Sequence, residues 1–253
     1  MSKEIQKVDS TISTTTKNKL DLSKFNNAAL SSALSNIELP RLFHQLVFFV
    51  LDGTGSMTWE GKTGSSKGEE IDIAIKKIIK RLLESKNKNC FDIGVYAFAE
   101  EHATILQPSK MANDMLDINY NPTLFFKENY KFEYLDDTLD LVDLEINNYY
   151  KKHEGKNCQS LVIILSDGAI RHFESASEKT KKIKSNQKTT VSSILFEDIR
   201  WSNDEDFLNQ TKNKLKELAS NNQNGHSFFI SDVDPDAIRN HMIKSISTVS
   251  KID

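Results

Sequence analysis

A chain of 253 residues suits one α/β core with appendages and is short for two full domains. Its hydrophobic content of 38%, charged content of 27% and net charge of -3 describe an ordinary globular protein without the basic footprint of a nucleic-acid binder. Cys90 and Cys158 form no CxxC pair, so neither a disulfide framework nor a thiolate zinc site is expected.

The beginning of the chain is rich in Lys, Ser, Thr and Asn, with no apolar stretch of the secretory-signal kind. No apolar run approaches the roughly 18 residues that span a bilayer. Both features lead to the expectation of a cytoplasmic protein with no membrane association. Residues 1–40 read as a flexible tail, with Phe25, Ala29, Ala33 and Ile37 at helical spacing marking a short docking helix within it. Residues 41–253 read as one folded domain.

Within that domain, residues 46–51 form a continuous apolar run suited to a strand buried on both faces. Ile71, Ala74, Ile75, Ile78 and Leu82 then mark one face of a helix over residues 69–83. A second strand is predicted over 91–99. The segment 103–107 follows too closely for a helical crossover, so it pairs antiparallel as an edge strand. Leu135, Leu139, Val142, Ile146 and Tyr149 define the next helix, followed by the apolar strand 161–165.

A helix over 174–184, a strand over 191–196, a helix over 204–219 and a strand over 227–230 continue the alternation. A last helix has Asp234 as N-cap, Pro235 at its first position, and Ile238, Met242, Ile246 and Val249 on its buried face. Such alternation predicts an α/β fold with a mostly parallel central sheet, one antiparallel edge strand and helices on both faces.

In an open sheet of this kind, binding sites lie beyond the carboxyl ends of the strands. Asp52, Thr54 and Ser56 stand there, two residues apart, in Asp52-Gly53-Thr54-Gly55-Ser56, directly after the first strand. Asp167-Gly168 follows the strand 161–165 in the same way and brings a second carboxylate to the neighbouring strand end. Carboxylates and hydroxyls on loops suit a hard divalent cation. The bland alternative is a pair of capped turns built from ordinary capping residues.

These two motifs closely resemble those of the von Willebrand factor A (vWA) family, whose metal-ion-dependent adhesion site has an Asp-x-Ser-x-Ser sequence after its first strand and an Asp-Gly after its fourth. The resemblance spans residues from about 44 to 250 in element order and implies the Rossmann-like vWA fold. It also implies a metal ligand set of Asp52, Thr54, Ser56 and Asp167 with a threonine just before a helix. Thr138 in Leu135-Asp136-Asp137-Thr138-Leu139 is the match for that threonine, with Thr123 as its rival. Asp136-Asp137 occupies the place where the family commonly has two glycines.

As the resemblance implies, the ion is Mg²⁺ or another divalent cation such as Mn²⁺ or Ca²⁺, with one coordination position left for an Asp or Glu of a partner protein. Trp59, in the polar insertion 58–68, together with Asp137 and Gly168, is expected to contact that partner. The tellurite-resistance-like, stand-alone intracellular members suggest an AAA+ ATPase or a kinase or phosphatase module as the partner. The expected role is a non-enzymatic adaptor.

Two other readings stand beside it: a P-loop-like or metal-dependent hydrolase, and a scaffold with a purely structural metal. For the P-loop, Gly61-Lys62-Thr63 follows Gly55 with five intervening residues where the motif needs four. A phosphoaspartate mechanism would need a carboxylate where Val50 stands. Ser56 lies outside any GxSxG elbow.

Overall fold

The computed structural model describes residues 41–127, 130–168, 170–198 and 204–250. The expected tail over 1–40 and its helix lie outside these residues. Six strands form one sheet in the order β3-β2-β1-β4-β5-β6. They are β1 His44–Asp52, β2 Phe91–Phe98, β3 His102–Lys110, β4 Cys158–Ser166, β5 Thr189–Phe196 and β6 Phe229–Asp232. β2 and β3 pair antiparallel, and the other neighbours pair parallel. Five helices accompany them among the described residues: α1 Lys67–Leu83, α2 Asp136–Lys152, α3 Phe173–Ser185, α4 Glu205–Leu218 and α5 Pro235–Val249.

The alternation of β1 side chains explains the layering. Val47, Phe49 and Leu51 pack with Ile71, Ile75 and Ile78 of α1 and Ile238, Met242 and Ile246 of α5. Leu46, Phe48 and Val50 turn the other way, toward Leu139, Val142 and Ile146 of α2, Phe173 and Ala176 of α3, and Leu215 and Leu218 of α4. All six strand residues are fully buried. At about 1.5–3 kcal/mol for each buried large apolar side chain, this strand is the axis of the hydrophobic core. No helix among the described residues is long and apolar enough to cross a membrane.

Among the boundaries that differ from expectation, three are informative. β3 extends to Lys110 through Pro108, which an edge strand tolerates because only one side of the strand is paired. β6 is shifted two residues toward the C-terminus and is half-buried throughout, so its periodicity marks its ends poorly. α1 begins at Lys67 rather than residue 69, fixed by a capping box in which Ser66 Oγ accepts from the Glu69 amide and the Glu69 carboxylate accepts from the Ser66 amide.

Candidate metal centre at the strand ends

Adjacent, parallel β1 and β4 carry Asp52 and Asp167 to the same end of the sheet. The register pairs Leu51 with Leu165, so Asp52 stands beside Ser166, and the Asp167 amide lies 3.4 Å from Asp52 Oδ2. Asp52 and Asp167 are fully buried and Thr54 nearly so. Asp52 Oδ1 accepts from the Thr54 amide at 2.8 Å and from Thr54 Oγ1 at 2.7 Å. Ser56 Oγ donates to Asp167 Oδ1 at 2.7 Å.

Each hydroxyl has a single proton, and a carboxylate accepts it in both cases, leaving the oxygen lone pairs of Thr54 and Ser56 free to act as donors. Those two oxygens are 3.1 Å apart. Cis ligands of an octahedral cation with bonds near 2.1 Å are about 3 Å apart, so the pair is spaced as two ligands of one ion.

A third carboxylate, which the sequence reading missed, completes the cluster. Glu133 precedes α2 in a segment anchored by the Tyr134 amide to Ala99 O and the Arg171 amide to Glu133 O, beyond the ends of β2 and β4. Carboxylate oxygens of Asp52, Glu133 and Asp167 lie within 4.8 Å of one another, all three residues buried. Ser166 Oγ is 2.7 Å from Glu133 Oε2 and 3.1 Å from Asp52 Oδ2, and its one proton cannot serve both. Gly168 makes room for Glu133, since a Cβ there would meet Glu133 Oε1 at 2.2 Å.

The electrostatics fit a cation. Burial, followed by the charge of Asp167, pushes the Asp52 carboxyl up to about 6. Burial and the charges of Asp52 and Asp167 hold Glu133 well above the usual carboxylate range. Buried like charges that raise one another's pKa are what a cation would relieve. An all-oxygen set of three carboxylates and two hydroxyls suits a hard divalent ion.

Lys67 also enters the centre. Its buried ammonium donates to Asp167 Oδ2 and, at 3.2 Å, to Asp198 Oδ2. It also lies 5.7 Å from the centre of the Trp59 ring. The insertion that sequence marks as a polar loop thus feeds a cation back onto the outer oxygen of a strand-end carboxylate.

The structure joins Asp52, Thr54, Ser56 and Asp167 but leaves the two threonine candidates out of this hydrogen-bonded set. Thr138 lies in the first turn of α2, fully buried, and its Oγ1 has no hydrogen-bond partner. It shares the buried stripe of Leu135, Leu139 and Val142. Thr123 Oγ1 donates to Asn121 Oδ1 at 2.8 Å, closing a local turn. Glu133, through Ser166, is the further oxygen group that joins the hydrogen-bonded set.

Of the residues expected to meet a partner, Trp59 is 44% exposed at the rim, Asp137 is exposed in the first turn of α2, and Gly168 is buried beneath Glu133. Leu124, Phe125 and Phe132 add exposed apolar surface. Leu124 and Phe125 belong to the turn Pro122–Phe125, whose neighbour Phe126 packs over Gly53 so closely that a Cβ on Gly53 would lie 2.4 Å from its ring. Phe132 adjoins Glu133. Lys62, the residue that a P-loop would direct at phosphate, is on the exposed part of the insertion and pairs with Asp234 at 2.7 Å.

Comparison with known proteins agrees with this architecture. The family model of the von Willebrand factor type A domain matches residues 47–241, and the chain belongs to that family. No curated protein matches the chain by sequence. Similar solved structures include the pilus adhesin SpaC of Lactobacillus rhamnosus GG, with a TM-score of 0.62 at 11% identity over 83% of this chain and 31% of the adhesin. The chain thus spans about a third of that adhesin. Another is the vWF domain of the pili tip protein Mfa5 of Porphyromonas gingivalis, with a TM-score of 0.61 at 9% identity over 84% and 98% of the two chains. The mussel byssus protein PTMP1, solved with zinc in its MIDAS motif, gives a TM-score of 0.55 at 14% identity over 82% of this chain and 48% of its own.

Proposed function

We propose that this vWA domain binds a partner protein through a divalent cation, Mg²⁺ by preference, held by Asp52, Thr54, Ser56, Glu133 and Asp167. The observation that carries this reading is the placement of Thr54 and Ser56 oxygens 3.1 Å apart with their protons committed to Asp52 and Asp167. A cation bound there supplies a Lewis-acidic position that an external carboxylate oxygen can fill. Asp52 and Asp167 orient the hydroxyls, Ser166 positions Glu133, and Lys67 neutralises the outer oxygen of Asp167.

The partner surface we infer is an Asp or Glu flanked by apolar side chains, matching the exposed Trp59, Leu124, Phe125 and Phe132 around the centre. Exposed aromatic groups at the rim are the residue types that anchor interfaces. The role proposed is that of a non-enzymatic adaptor, the partner being of the AAA+ ATPase, kinase or phosphatase kind. The surface pairing of Lys62 with Asp234 weighs against the P-loop alternative.

Affinity capture in Mg²⁺, repeated with a chelator, tests this reading. The expected result is a protein retained by the wild type in Mg²⁺ and lost both in EDTA and on Asp52→Ala, with binding also lost when one acidic residue of that protein is changed. Capture that is indifferent to chelator and to Asp52→Ala would refute it.

A further inference from the structure

A second cluster occupies the opposite end of the sheet. His44 opens β1 and Asp52 closes it, so at about 3.3 Å per residue the two ends are roughly 26 Å apart. At the far end, His44, Asp92 near the start of β2, and His153 at the C-cap of α2 bring imidazole nitrogens and a carboxylate oxygen within 4.8 Å of one another. His44 and Asp92 are buried. The two imidazole rings face each other with centroids 4.2 Å apart. His153 Nδ1 is buried and has no hydrogen-bond partner.

We propose that His44, Asp92 and His153 form a second metal site, for a transition-metal ion of the Zn²⁺ class, independent of the strand-end centre. Two imidazoles and one carboxylate from three separate elements are a donor set that such an ion takes readily, with a further position left open. Both imidazoles offer lone pairs at neutral pH, because burial pushes His44 down to about 4 and also lowers His153. Cys158 stands opposite His44 in the β1–β4 register, but the ligand atoms that lie within 4.8 Å of one another are those of His44, Asp92 and His153, so the donor set is His₂Asp.

Asp92 already has partners, and their geometry leaves it a ligand atom. Arg41 Nη1 at 2.5 Å and Tyr149 Oη at 2.7 Å both donate to Oδ2, while Oδ1 has only Arg41 Nη2 at 3.2 Å among the described contacts. Arg41 Nη1 is also 3.5 Å from His44 Nδ1, so the guanidinium competes for the same donors. This competition separates a metal site from a merely structural network: removing Arg41 should strengthen metal binding.

Zn²⁺ titration of the full chain, stripped of metal and carrying Asp52→Ala to disable the other centre, tests the proposal. One Zn²⁺ per chain is expected, weakened at least tenfold by His44→Gln or His153→Gln and tightened by Arg41→Gln. If a variant fails to fold by circular dichroism, Zn²⁺ titration of the wild type in a large excess of Mg²⁺, which competes at the all-oxygen centre and not at the imidazoles, gives the same test, one Zn²⁺ being expected. No Zn²⁺ bound in the Asp52→Ala chain, none retained by the wild type in excess Mg²⁺, or binding unchanged in folded His44→Gln and His153→Gln variants overturns it.

Discussion

Lys67 and Asp167, one hundred residues apart in sequence, meet as a buried ion pair in which the ammonium contacts one carboxylate oxygen while Ser56 Oγ donates to the other. Asp167 is thereby divided between a fixed internal cation and the hydroxyl face where a divalent ion fits. The strand-end centre holds a buried excess of negative charge, with Asp52 and Glu133 raised in pKa by burial and by their neighbours. A divalent ion at the hydroxyl face would act on the opposite side of the same group from Lys67.

Replacing Lys67 by Met should therefore destabilise the metal-free protein by about 3–5 kcal/mol, the usual consequence of leaving a buried carboxylate without its partner. Mg²⁺ should restore part of that loss, since Asp167 regains a positive neighbour. Urea unfolding in EDTA and in Mg²⁺ measures both effects.

Thr138→Val should raise stability by about 1 kcal/mol, because it removes a buried hydroxyl that has no hydrogen-bond partner while keeping the side-chain shape. Denaturant midpoints of the two proteins, compared at equal slope, check this. A loss above 1 kcal/mol would mean that the hydroxyl is engaged.

Gly168→Ala should weaken Mg²⁺ binding at least tenfold and cost about 1–3 kcal/mol, since the new methyl group meets Glu133 Oε1 at 2.2 Å and must push it aside. Calorimetric titration and thermal unfolding report the two effects separately.

The pH profile has a histidine component away from either metal cluster. His241 is buried on α5, where Nε2 lies 3.0 Å from Ser192 Oγ, and burial followed by the charge of His226 lowers its pKa to about 4. A histidine depressed on folding binds fewer protons in the native state than in the unfolded chain. Its contribution is thus complete above pH 6.5 and is lost as pH falls toward 4. The full loss is about 3 kcal/mol at 1.36 kcal/mol per pKa unit. Urea unfolding between pH 7 and pH 4 should show a shallower decline in His241→Gln than in the wild type.

Much of this molecule was legible from its residues. Leu46 to Leu51 marked the central strand by apolar continuity, and Asp52, Thr54, Ser56 and Asp167 followed as oxygen donors at the carboxyl ends of two strands. What stayed hidden depended on tertiary placement. Glu133 lies outside any periodic element and reaches the centre only because Tyr134 and Arg171 anchor its segment there.

A local signal existed for the start of α1 and for the burial of Thr138. Ser66-x-x-Glu69 is a capping-box pattern, and it makes Lys67 the first residue of α1 rather than part of a polar loop. Thr138 stands three residues after Leu135 and four before Val142, both on the apolar stripe, so the helical period accounts for its burial.

The central claim is that Asp52, Glu133 and Asp167 hold one divalent cation. Calorimetric titration with Mg²⁺ of the wild type, Glu133→Gln and Thr138→Val tests it most directly. The account predicts one Mg²⁺ per wild-type chain, at least tenfold weaker binding in Glu133→Gln, and unchanged binding in Thr138→Val. Mg²⁺ affinity lost in Thr138→Val and untouched in Glu133→Gln would contradict it.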